Sequence, residues 1–410
     1  MSRMAPMRIA LGVALATVGF PIRPAFAQAV DPSLWVANGP VYAVARSGNT
    51  LYLGGNFTQL GPASGAGVPI DAATGAPAAG FPKVAGIVRA VAPDGAGGWF
   101  IAGTFAAVGG IPRTNLAHVL ANNSVAAWDP SASNPVHCMA VSGSAVYVGG
   151  RFTSVGGQPR SCIAALDAGT GLATAWDPSA TGGYPGGISV DALAVSGATV
   201  YAGGTFSGGG TFSSIGGQAR NYIAALDAAT GLATAWNPNA NGSASALAVS
   251  AGTVYAGGVF STIGGQTRNR IAALDAGTGI ATAWNPNANL DVRALEVSGT
   301  TVYAGGSFTS IGGQTRNGIA ALDATSGLAA AWNPSVGVGV EPSDHDGTIY
   351  ALATRGSTLY AGGWFTRVGS WPPSNLAAIA ASPALSAIAP ATGGNAGPVS
   401  WAAGCRRVLP

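Results

Sequence analysis

Few side chains in this 410-residue chain could do chemistry. Charged residues make up 8% of it, and there are only three histidines and three cysteines. His118, His137 and His345 are spread over the chain, too far apart in sequence for the clustered ligand spacings of a zinc or copper site. The densest acidic group is Glu341, Asp344 and Asp346 around His345, in one loop. It is either a set of oxygen ligands for a hard cation or a solvated loop. Asn237-Pro238-Asn239-Ala240-Asn241-Gly242 has the oxygen spacing of half a calcium loop, but it lacks every carboxylate and the closing Glu. It reads as a capped loop. The chain contains neither a Gly-x-Ser-x-Gly elbow nor a phosphate loop. No catalytic residue, metal or cofactor is therefore assigned.

Three columns of residues recur at a long period instead. Asp167, Asp227, Asp275 and Asp323 each precede a turn ending in Gly, where the carboxylate can accept backbone N–H bonds two residues on. Arg113, Arg160, Arg220, Arg268 and Arg316 hold one position in five successive repeats. Arg268 and Asp275 lie too far apart along an extended chain to pair. These arginines either bond loop carbonyls between repeats or line a face receptive to anions. The third column is the place where the repeat refuses to repeat. Just before a recurring Ala-Leu it reads Tyr42, Arg89, His137, Asp191, Ser245, Arg293 and Tyr350. Two readings stand for it: a polar strand start in solvent, or a set of different side chains converging on one ligand.

What positions these columns is a phrase of about fifty residues, clearest from Val254 to Asn289. Aligned on its Gly-Gly pair, it occurs seven times, from Gly54-Gly55 to Gly362-Gly363. In the fourth copy four short strands are legible, at Val190–Val195, Val200–Phe206, Ile223–Asp227 and Leu232–Trp236, with Gly-rich turns between them. Four strands per repeat is the pattern of a propeller blade. The expected fold is all-β: a seven-bladed β-propeller with four-stranded blades. Small residues such as Ala224 and Ala225 let blades approach, and Trp128, Trp176, Trp236, Trp284 and Trp332 wedge between them. The last copy lacks its fourth strand. Ser33–Asn38, carrying Trp35, supplies it from the N-terminus and closes the ring. The first strand of each blade then lines a channel, and the non-repeating column stands at its mouth.

Met1 to Ala27 reads as a signal peptide: Arg3 and Arg8, an apolar run from Ile9 to Phe20, then Ala25-Phe26-Ala27. The run is too short to span a bilayer, and no other segment is longer. Residues 28–381 form the propeller and 382–410 a tail. The net charge of +3 is too small and scattered for a nucleic-acid partner. Cys138 and Cys162 are placed in the first and third strands of one blade, about 9.5 Å apart and beyond disulfide reach. Both are expected as thiols.

The order Gly-Gly, Leu-Asp, Thr-Gly, Trp resembles kelch-type blades. The fuller phrase Y-x-G-G-x-F-T-x-I-G-G followed by R-N-x-I-A-A-L-D is similar to the delta-sixty repeats of exported bacterial proteins, and to the ectodomain of the fungal polarised-growth cortical marker. The tail SPALSAIAPATGGNAGPVS resembles the opening of a bacterial immunoglobulin-like domain, here truncated. The propeller resemblance implies a monomeric, non-catalytic binding or scaffold module displayed at the cell surface, its partner a protein or glycan. Ala225 to Gly231 followed by Trp236 also resembles the tryptophan-docking motif of quinoprotein dehydrogenases, with one residue too many before the Trp. The alternative is thus a propeller-based enzyme, a quinoprotein-like dehydrogenase or a polysaccharide-active one.

Overall fold

The computed structural model describes residues 37–60, 67–71 (backbone), 80–181, 188–205, 214–337, 347–369 and 375–381. Each copy of the phrase folds into an antiparallel meander. In the fourth, Ser189–Ser196 pairs with Thr199–Thr205, which pairs with Ile223–Asp227. The middle strand is buried on both faces from Val200 to Gly204, which is why it is apolar and small throughout rather than alternating. Gly197, at φ 56°, makes the left-handed turn into it.

Six such three-stranded sheets occur among the described residues, together with a four-stranded one built on Val84–Pro93 and Trp99–Val108. No helix is present among them. Successive sheets stack through their inner strands. The inner strand of the first sheet, Val41–Ser47, packs against both Val84–Pro93 and Thr348–Arg355, the inner strands of the second and last sheets. Sheets stacked radially by their inner strands make a β-propeller.

Two details differ from expectation. In the second to sixth sheets the fourth strand is reduced to a single bridge, such as Leu226↔Ala233 and Leu274↔Ala281. Its backbone groups are shared among several partners. Ala233 N donates to Gly216 O, Thr234 N donates to Ala225 O, and Thr234 O accepts from Arg220. A segment whose groups are divided in this way cannot continue a ladder. The long loop after the middle strand contains a small hairpin of its own, Ser214–Ile215 against Gln218–Ala219. Gly216 and Gly217 turn it with φ of 61° and 75°, the paired positive values of a type I′ turn.

Tryptophan joins one sheet to the next. The Trp236 ring lies edge-on to Tyr201 of its own sheet, centroids 5.2 Å apart. Its indole N–H donates to the Asp275 carbonyl of the following sheet at 2.9 Å. Trp128, Trp176 and Trp284 do the same to Asp167, Asp227 and Asp323, and Trp332 donates to Ala380. The wedge therefore carries a hydrogen bond as well as apolar area.

Ser33 to Val36, with Trp35, lie outside the described residues, as do the signal segment and the tail. The adjoining Ala37 is fully buried. It bridges Leu60 and accepts a hydrogen bond from Asn375 Nδ2 at 3.0 Å. Asn115 makes the same bond to Ala132 between the second and third sheets, at 2.9 Å. Cys138 and Cys162 are both buried thiols, as expected. Cys162, however, sits just before its strand, at φ 63°.

Asn375, at φ 66°, uses both the left-handed tolerance of asparagine and its amide donor. Asn375→Ala should lower unfolding stability by about 2–3 kcal/mol, read as a shifted denaturant midpoint at constant slope. Asn375→Asp keeps the backbone preference without the donor, and is expected to fall between. Thiol titration after unfolding without reductant should find Cys138 and Cys162 both reduced; a peptide linking them would contradict this arrangement.

Candidate functional site

The non-repeating column owes its position to a β-bulge. In every inner strand the register slips by one residue opposite the Gly-Gly pair, or opposite Ala102-Gly103 in the second sheet. Val190 faces Gly204 and Ala192 faces Gly203, which leaves Asp191 as the extra residue. The same slip singles out Tyr42, Arg89, His137, Ser245, Arg293 and Tyr350. A bulged residue has no partner across the ladder, so its side chain is free of the packing rule that fixes its neighbours.

These side chains are not a solvent-facing strand start. Tyr42, Arg89, His137, Asp191 and Tyr350 are only 3–8% exposed, while Ser245 and Arg293 are half-buried. Their contacts form separate sets. Tyr350 and Tyr42 meet in a tilted contact with centroids 5.4 Å apart, and the Arg89 guanidinium lies 5.8 Å from the Tyr42 ring centre. Arg89 Nε also donates to Thr104 Oγ1 at 3.4 Å. In a second set His137 Nδ1 lies 2.9 Å from Asp191 Oδ1. Ser189 and Thr205 donate to Asp191 Oδ2 at 3.0 and 3.5 Å. Arg293 forms a 2.6 Å ion pair with Asp291. The sequence reading missed these partners. A signal was present in two of them: Ser189 and Asp291 each stand two residues before a bulged residue, Ser189 opening the same strand and Asp291 just ahead of it.

The arginine column does something other than expected. Each guanidinium bonds two carbonyls within its own sheet. Arg268 donates from Nη1 to Thr267 O at 2.8 Å and from Nη2 to Thr282 O at 2.6 Å. Arg113, Arg160, Arg220 and Arg316 repeat the clamp. They do not bridge sheets, because both ends of the fork are turned onto backbone oxygens of their own sheet. Arg113 and Arg160 also approach Asp129 and Asp177, at 3.7 and 3.5 Å. These two acids follow the Trp, where later repeats carry Asn.

The aspartate column caps turns as expected. Asp227 Oδ1 accepts from the N–H groups of Ala229 and Thr230 and from the Thr230 hydroxyl. That hydroxyl, followed by the backbone bonds, holds its pKa below the ordinary value. The Asn-Pro-Asn loops stitch sheets together. Pro238 O accepts from Gly264 N, and Asn241 Oδ1 accepts from Ser261 and Thr262 N of the next sheet. No group of three His, Cys, Asp or Glu side chains suited to a metal occurs among the described residues. Glu341, Asp344, His345 and Asp346 lie outside those residues.

One acid of interest was not singled out from sequence. Glu296 replaces the Ala found at its place in other inner strands, as at Ala194 and Ala353. It is buried, and its Oε1 accepts from Thr354 N at 3.1 Å and Thr354 Oγ1 at 2.7 Å. Burial raises its pKa from 4.5 to about 7, against the lowering effect of the Thr354 bonds and the Arg46 charge.

No family model matches this chain, and no curated protein does. Solved structures do. A chain of the mitotic checkpoint complex aligns over 93% of this chain and 99% of its own, at 12% identity and TM-score 0.53. The WD40 β-propeller domain of Doa1 aligns over 87% and 99%, at 11% identity and TM-score 0.49. BamB from Moraxella catarrhalis aligns over 82% and 95%, at 16% and 0.43. The likeness is one of fold. No helix among the described residues is long and apolar enough to cross a membrane.

Glu296 predicts a pH dependence of known sign. With the folded pKa raised above the unfolded one, the protonated acid's contribution is fully present below about pH 4.5 and lost as pH rises through about 7. The loss is on the order of 3 kcal/mol. Glu296→Gln should keep the Thr354 bonds and flatten the stability curve by that amount between pH 5 and 8, measured by denaturant unfolding against wild type.

Proposed function

We propose that this protein is an exported, non-catalytic β-propeller, seven-bladed and of the kelch-like or delta-sixty kind, that binds a protein or glycan at the cell surface through its channel mouth. The observation that carries this reading is the bulge column. One backbone device, repeated in every inner strand, delivers seven side chains of five types, while the residues around them stay nearly constant. Among them are an aromatic pair beside Arg89, a His137–Asp191 pair and Arg293 paired with Asp291. That asymmetry suits the end of a glycan, with an apolar face for the tyrosines and hydroxyls or a carboxylate for the rest.

Ring closure by the N-terminal segment is supported by two equivalences. A Cβ on Gly362 would press on Val41, as one on Gly305 would press on Ile349 of the next sheet. Ala37 takes the Asn375 bond that Ala132 takes from Asn115. In this reading Trp35 completes the last blade and the chain is monomeric.

A second reading, a polysaccharide-active enzyme, is favoured by the 2.9 Å His137–Asp191 pair, the geometry by which an acid orients an imidazole base. A glycan array separates the two. Saturable binding without turnover is the expected result. Arg89→Ala with Arg293→Ala should weaken that binding by about tenfold or more, ~1.4 kcal/mol, with the melting temperature nearly unchanged. Turnover abolished by His137→Gln would support the enzyme instead. Loss of stability with unchanged affinity would return these residues to a purely architectural role.

A further inference from the structure

A second kind of site lies on the outer rim, away from the mouth. Between the second and third sheets is an open groove of about 530 Å³, and between the fifth and sixth an equivalent one of about 540 Å³. Both fall within the roughly 300–1,000 Å³ of small-ligand sites. The later groove is walled by Asn285-Pro286-Asn287 on one side and the Ser310–Thr315 hairpin on the other, with Leu328 at its edge. The earlier one has Asp129-Pro130-Ser131, the Ser154–Pro159 hairpin and Leu172. The same frame recurs at the two interfaces between them. Gly156, Gly216, Gly264 and Gly312 each donate a 2.6 Å bond to the proline carbonyl of the preceding sheet.

Three features suggest what these grooves take. First, Leu172, Leu232, Ile280 and Leu328 are 60–62% exposed, so each offers an apolar platform that the fold does not use for packing. In the second sheet the same place holds Ser124, so architecture does not require an aliphatic residue there. Second, the polar lining of the later groove is uncharged: the amides of Asn285, Asn287 and exposed Gln314, Ser310 and Thr315, and the hairpin turn at Gly313, which has open space over its α-carbon. Arg316 does not line the groove; its guanidinium is turned onto the Thr315 and Ala330 carbonyls. Third, the residue after each Trp changes from Asp129 and Asp177 to Asn237 and Asn285 while the frame is kept. A carboxylate and a carboxamide share one ability, to accept from a hydroxyl. Arg113 and Arg160 offset the two carboxylates at 3.7 and 3.5 Å, so neither position presents a net charge to an ionic ligand.

We infer that these rim grooves are repeated subsites for a neutral glycan, whose C–H face lies on the exposed aliphatic side chain and whose hydroxyls meet the amides and the Asp or Asn oxygen. The sites are equivalent and carried on one rigid ring, so a repeating polymer engages several at once and gains avidity without new contacts.

The test is an NMR titration of isotope-labelled full chain with cello-, xylo-, manno- and chitohexaose. With at least one of them the side-chain amides of Gln158 and Gln314 should both shift and saturate. Leu172→Ser should abolish the shift at Gln158 and spare Gln314, and Leu328→Ser the reverse. Both variants copy the Ser124 of the second sheet, and their folding is checked in the same spectra. Arg89→Ala should leave both shifts intact, which separates failure here from failure at the mouth. Absence of shifts at both glutamines with all four sugars, or shifts that survive the serine substitutions, would overturn the inference.

Discussion

In six of the seven sheets the structure depends on the absence of a Cβ at two adjacent positions; the second sheet keeps Gly103 but has Ala102 beside it. A side chain on Gly306 would collide with the Asp291 carbonyl, so only glycine lets the inner strand fold its extra residue over the ladder at that point. A side chain on Gly305 would meet Ile349 of the next sheet at 2.5 Å. The first constraint makes the bulge, and the second sets how closely the sheets approach. The same two residues thus fix both the inner interface and the aim of the bulged side chain. Gly54-Gly55, Gly149-Gly150, Gly257-Gly258 and Gly362-Gly363 repeat the arrangement with Val or Ile as the neighbour. A substitution there would push a whole sheet outward rather than crowd one pocket, since close-packed interiors transmit strain.

At the outer end of the same interface the sheets are joined by backbone oxygens. The indole of one sheet bonds the Asp carbonyl of the next, the proline carbonyl takes the hairpin Gly N–H, and the connector Asn or Ser caps the first residues of that hairpin. The guanidinium clamps act within each sheet, holding the outer segment that never becomes a strand. This explains a chain with only 8% charged residues and no need for surface ion pairs to hold it. Its polar requirements are met locally, copy by copy.

How much of this was legible follows from what each residue contacts. Strands and turns were readable because burial on both faces demands runs such as Val-Tyr-Ala-Gly-Gly. Trp was readable because its bulk recurs at a place where sheets must meet. The destination of the arginines was not, because a carbonyl acceptor has no side-chain identity to find in a sequence. The fourth strand misled for a related reason. Leu232–Trp236 has strand composition, but its N–H and C=O groups are claimed by the hairpin and by Arg220. Glu296 could be noticed as an oddity among alanines, yet its partner Thr354 lies 58 residues away and only the stacking of inner strands brings them together. The bulge itself left a trace in the variable column without indicating burial. A polar residue at a strand start looks the same whether it faces water or a neighbour.

Variation and constancy are therefore distributed by backbone geometry. Where a residue pairs across a ladder or packs against the next sheet, its size is dictated by two neighbours at once, and the repeats converge on Ala, Val, Leu and Gly. Where the bulge releases a residue from the ladder, that dictation ends, and Tyr, Arg, His and Asp can replace one another without moving a strand. Such positions still carry a cost of burial. His137 is answered by Asp191, Arg293 by Asp291, and Arg89 by Thr104 and the Tyr42 ring. Each answer comes from a bulged residue of another strand or from a residue beside the bulge. The mouth is thus internally balanced before any ligand arrives, and a ligand that displaces one partner must replace its hydrogen bonds. This requirement makes such a site selective for polar groups of matching geometry rather than for bulk or charge alone.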